Sequence, residues 1–95
     1  MSFEEFLAAA APLAGTGLAL QALWHDAHGD WARAHACVQD DASREGAWVH
    51  AYLHRKEGDT ANAGYWYARA GRTMPAKGVT LDAERADIAR ELLAR

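Results

Sequence analysis

The sequence predicts an all-α fold, a compact bundle of five to six short helices. Three observations carry this. Apolar residues recur at helical spacing, helix-starting and helix-stopping residues alternate at short intervals, and no segment alternates with period two for long enough to form a strand. The 95-residue chain is 51% hydrophobic and 24% charged, a globular balance. A single domain spanning 1–95 buries on the order of 60–65% of its unfolded surface.

The elements follow in order. Ser2 and Glu5 form a capping box, in which the serine accepts from the N3 amide and the glutamate reaches back. It opens a helix over about 3–11 that Pro12 ends. Thr16 is the next cap, and Leu18, Leu20, Leu23 and Trp24 mark the apolar side of the second helix. Gly29 stops that helix and Asp30 caps the third, so the first hairpin covers about 18–40. Asp41 or Ser43 opens the fourth helix, Gly58 stops it, and Asp59 caps a fifth over 60–70 that Gly71 terminates. The second hairpin is therefore about 44–71. Pro75 and Gly78 keep the next segment irregular. Thr80 caps a last helix over about 81–94, in which Leu81, Ile88 and Leu92 form the apolar side. Asp82 and Glu84 suit its positive end, and Arg90 and Arg95 its negative end.

Charge and cysteine content exclude several classes. A net charge of -3, with both signs mixed along the chain, offers no Lys/Arg face for phosphates, so nucleic acid is not an expected partner. The single Cys37 excludes an intrachain disulfide framework and suits a reducing, cytoplasmic setting, where it packs as a small apolar residue. The apolar run from Phe6 to Leu20 follows Glu4 and Glu5, where a signal peptide needs positive charge. Pro12, Gly15 and Gly17 break it, so it neither leads to secretion nor spans a membrane.

An offset of 29 residues aligns Ala22 with Ala51, His25 with His54, Gly29 with Gly58, Asp30 with Asp59, Ala32 with Ala61 and Ala34 with Ala63. The matches fall on the small residues and the turn of a helical hairpin. On these residues, with Tyr67, Ala70 and Pro75 completing the second unit, the chain resembles the tetratricopeptide repeat. The resemblance implies stacked helical hairpins that present a surface to a protein. The period is shorter than the family's usual 34 or so residues and only two units are present, which implies a bundle closed by the terminal helices. A second resemblance covers the stretch Trp48-Val49-His50-Ala51-Tyr52-Leu53-His54-Arg55-Lys56-Glu57-Gly58-Asp59. Continued through Asn62, Tyr65-Trp66-Tyr67 and Arg69-Ala70-Gly71, it resembles the signature of a group of short microbial proteins with no assigned activity.

Two groups of residues have the types that chemistry needs. His50 and His54 are four apart and share a helix face, an arrangement that can chelate a metal if His35 or Glu57 adds a ligand. The same pair, with His25 as the repeat equivalent of His54, reads first as packing and hydrogen-bonding residues, so no metal ligand set and no cofactor are assigned. Asn62, Trp66 and Arg69 share a face of the fifth helix and can meet His35, Gln39, His50 and Arg55 if the hairpins pack side by side. An internal hydrogen-bond network explains these residues as well. In Tyr65-Trp66-Tyr67, Tyr67 takes the core position, and Tyr65 or Trp66 faces another helix, a partner or solvent. The remaining carboxylates fall where capping and solubility account for them.

The first functional expectation is a helical protein-interaction or scaffold domain that binds a protein partner or itself, a homodimer included. The alternative is a small ligand- or metal-binding protein, or an enzyme, with a polar-aromatic pocket. Its site residues are His35, Gln39, His50, His54, Arg55, Asn62, Trp66 and Arg69. No catalytic residue is assigned, because no phosphate loop, nucleophile elbow or paired-Cys metal motif is present.

Overall fold

Side-chain bonds to the backbone three residues ahead set where most of the helices begin. In a computed structural model describing residues 1–12 and 15–95, these residues form six helices and no strand. Helix α1 (Phe3–Ala8) opens on the expected capping box, with Glu5 N donating to Ser2 Oγ at 3.1 Å and Ser2 N donating to Glu5 Oε1 at 3.2 Å. Helices α3 (Trp31–Val38), α4 (Arg44–Glu57), α5 (Thr60–Ala70) and α6 (Leu81–Leu93) begin at Asp30, Ser43, Asp59 and Thr80, each accepting from the N3 amide. Asp41 is not the cap of α4. Its Oδ1 instead accepts from Ser43 N at 2.9 Å and so orders the approach to the cap.

Two helix ends differ from the sequence reading. Helix α1 stops at Ala8 rather than Ala11, because the carbonyl of Ala9 is taken by the indole Nε1–H of Trp24 at 3.1 Å. Pro12 has no amide for the carbonyl of Ala8, so nothing local resists this. Helix α2 (Leu18–Ala27) starts at Gly17, one residue after Thr16, with no side-chain cap bond.

The two Gly-Asp turns have the same construction. Gly29 and Gly58 sit at φ of 83° and 89°, where a side chain would be strained. The amides of Asp30 and Asp59 reach back to the carbonyls of His25 and His54, at 2.9 and 3.0 Å. Each turn thereby folds its pair antiparallel, α2 on α3 and α4 on α5. Helix α4 runs through the middle, touching α2, α3, α5 and α6, while α1 reaches α2 and α6. Its buried residues Val49, Tyr52 and Leu53 meet Phe6, Leu23, Val38 and Ile88 in the main core. Ala51 and Ala63 let α4 and α5 approach closely beside Tyr67. The expected core role of Tyr67 and the apolar packing of Cys37 at the core margin are both observed.

Helix α6 is fastened by two buried carboxylates, which corrects their reading as capping and solubility residues. Asp26 accepts from Tyr52 Oη at 2.5 Å, Lys56 Nζ at 2.8 Å and Arg85 Nη1 at 3.4 Å. Glu84 accepts from Tyr67 Oη at 2.5 Å and Arg55 Nη1 at 2.8 Å, and Arg55 also donates to the carbonyl of Val79. Burial, and then the bonded carboxylate, pushes both phenols far above their ordinary range, so each remains a donor. Tyr67→Phe removes one donor from Glu84 and is expected to cost about 1.5–3 kcal/mol, measured by urea unfolding. A loss under about 0.5 kcal/mol would show that Arg55 alone satisfies Glu84.

Candidate functional site

The side-by-side packing of α3, α4 and α5 brings three imidazoles together. His50 and His54 project from successive turns of α4, and His35 meets them from α3. His35 Nε2 lies 3.1 Å from His50 Nε2, so one ring donates a hydrogen bond to the other. One nitrogen from each of the three histidines falls within 4.8 Å of the other two. Tetrahedral zinc holds its nitrogens at 2.0–2.1 Å, which places them about 3.3 Å apart. The His35–His50 pair is already close to that spacing. For the widest pair, a shift of about 1.5 Å from the 4.8 Å limit suffices, within the reach of side-chain rotation.

Aromatic rings hold the cluster in place. The Trp31 ring lies 4.9 Å from His35 at an interplanar angle of 7°, and its Nε1 is fixed by donating to the carbonyl of Leu53 at 2.9 Å. Trp66 covers the other side, stacked on His50 at 4.0 Å and 20°. Asn62, one turn before Trp66 on α5, places its Nδ2 3.5 Å from His54 Nε2. His54 Nδ1 bonds Glu57 Oε1 at 2.9 Å.

Burial keeps two of the rings, His50 and His35, from taking up a proton at neutral pH. Burial, reinforced by His54 and His35, pulls His50 down to about 4 from its ordinary 6.5. Burial also lowers His35, with His54 adding to the effect and Glu57 opposing it. At neutral pH these two rings are therefore unprotonated, the form in which imidazole binds a metal, and an ion would replace the hydrogen bond between them. His50 is only 4% exposed, yet its Nδ1 has no hydrogen-bond partner among the described residues. An unpaired buried nitrogen marks a cluster that the protein does not satisfy by itself.

Of the eight predicted site residues, His35, His50, His54, Asn62 and Trp66 come together. Arg69 adjoins them on the surface, its guanidinium 5.4 Å from the Trp66 ring and 5.8 Å from that of Tyr65. The other two are placed elsewhere. Arg55 follows His54 directly, about 100° further around α4, and that angle sends it to Glu84 on α6. Gln39 is the exposed C-cap residue of α3. Trp31 is the residue that sequence reasoning missed. Its signal was available, since Trp31 and His35 are four apart on one helix face.

A second group, His54, Glu57 and Asp59, also falls within 4.8 Å, but Asp59 is committed to capping α5 through Asn62 N at 3.2 Å. Among the described residues no helix is long and apolar enough to cross a membrane. Comparison of the chain with protein-family models, curated proteins and solved structures finds no match.

Proposed function

We propose that this protein binds a divalent transition-metal ion through His35, His50 and His54. The observation that carries the reading is the convergence of three imidazole nitrogens within 4.8 Å between the rings of Trp31 and Trp66. An all-imidazole set suits zinc, copper or nickel rather than magnesium or calcium, which prefer oxygen. Three protein nitrogens leave at least one coordination position for solvent or an outside ligand.

The interaction-domain reading has less support. It rests on the Tyr65-Trp66-Tyr67 run, of which Trp66 is spent on His50 and Tyr67 on the core, leaving Tyr65 as the exposed ring, at 54%. The tetratricopeptide-like reading of the hairpins stays a proposal supported by the matched bonds at the two Gly-Asp turns.

Zinc titration followed by thermal unfolding tests the metal reading. At a free concentration one hundred times the Kd, about 2.7 kcal/mol of stabilisation is expected, or roughly 10–20 °C for a domain of this size. Cobalt(II) should show the visible bands of low coordination number, and His50→Ala with His54→Ala should abolish both responses. A wild-type protein whose unfolding and cobalt spectrum ignore the metal would overturn the proposal.

A further inference from the structure

A histidine that binds metal through one nitrogen keeps a proton on the other, and the acceptor of that proton decides which nitrogen is offered. Of the three clustered histidines, His54 has a side-chain carboxylate in this role. Its Nδ1 lies 2.9 Å from Oε1 of Glu57, three residues on and on the same face at the last turn of α4. His35 and His50 instead use their Nε2 atoms on each other. The Glu57 side chain is 42% exposed, while that of His54 is 9% exposed, so the carboxylate stands at the rim and the ring points inward from it.

We infer that Glu57 is a positioning residue for the metal. It accepts the Nδ1–H of His54 and fixes that ring in one tautomer, so that the Nε2 electron pair, which Asn62 Nδ2 approaches at 3.5 Å, is the one offered to the ion. Its negative charge makes that electron pair more basic and partly offsets the charge of an ion held by three neutral rings. The inference rests on the metal-binding reading above. Asp59 brings a second carboxylate to the same turn, but as the cap of α5 it serves the backbone.

The test compares zinc affinity, by competition with a chromophoric chelator, in the full chain and in Glu57→Ala, Glu57→Gln and Asp59→Asn. Glu57→Ala is expected to weaken binding about 10- to 100-fold. Glu57→Gln should fall between, since an amide oxygen still accepts from Nδ1–H without the charge. Asp59→Asn keeps a good cap and removes a neighbouring charge, so it should stay within about threefold of wild type. Nitrogen-detected NMR of the metal-free protein supplies a readout that a merely structural role would not move. Wild-type His54 should be protonated on Nδ1, and Glu57→Ala should show a tautomer mixture while its melting temperature moves by no more than about 3 °C.

Unchanged affinity in Glu57→Ala overturns the inference while leaving the metal site standing. So does an equal loss in Asp59→Asn, which would make the effect one of general charge. Absence of zinc binding by the wild-type chain is a different result, visible before any variant is compared, and it overturns the metal-binding reading and this inference together.

Discussion

Asp26→Ala is expected to lower the unfolding free energy by about 3–5 kcal/mol, a large part of the stability of a small domain. The side chain of Asp26 has no exposed surface and takes hydrogen bonds from Tyr52, Lys56 and Arg85. Truncation leaves a buried phenol without an acceptor and Lys56 without its counter-charge, while Arg85 keeps only the exposed Asp82, at 3.2 Å. Lys56 is one-third exposed and can turn to water, but the Arg85 side chain is 17% exposed and its Nε is already without a partner among the described residues. The penalty therefore falls mainly on Tyr52 and Arg85. Asp26→Asn keeps the shape and one acceptor oxygen and should cost about half as much. Urea unfolding with an unchanged slope would measure both, and a loss below about 1 kcal/mol for Asp26→Ala would show that water replaces the carboxylate. Hydrogen exchange should then rise first in α6, because Arg85 is its direct link to Asp26 on α2.

The helix ends that were legible in the sequence are those fixed by bonds spanning three residues. Ser2 with Glu5, Asp30 with Arg33 and Thr80 with Ala83 each close within one turn, so local sequence contains the whole cause. The end of α1 was not legible, because its last carbonyl bonds Trp24, fifteen residues away. The site divides the same way. The shared face of His50 and His54 follows from spacing alone, whereas the arrival of His35 depends on how α3 crosses α4. Side-by-side packing of the hairpins is the ground for grouping Arg55 with the histidines, and one residue of helical rotation past His54 sends it to Glu84 on α6 instead. The buried acids were hidden because Asp26 and Glu84 stand near helix ends, where acids are usually solvated. Tyr52 and Tyr67 offered the one available hint: a tyrosine at a core position needs a partner for its hydroxyl.

The second large effect concerns pH. Between pH 7 and pH 4 the metal-free protein is expected to lose about 3 kcal/mol of stability through His50 alone. The folded ring takes up a proton only near pH 4, the unfolded one already near its ordinary 6.5. Within that window the unfolded chain binds more protons, so acid favours unfolding; the loss begins as pH falls through 6.5 and is complete near 4. His35 is lowered as well and adds in the same direction. His50→Phe isolates the larger contribution. A phenyl ring has no nitrogen to leave unpaired, and it can keep the stack on Trp66, which in wild type holds the rings 4.0 Å apart. The variant should fold at neutral pH with near wild-type stability, lose most of the slope between pH 6.5 and 4, and bind no metal. If it kept the full slope, the acid sensitivity would lie in the carboxylates, and the imidazole cluster would be charged and hydrated rather than neutral and ready for an ion. Loss of the slope together with loss of metal binding would tie both properties to one buried ring, whose low proton affinity leaves its electron pair free.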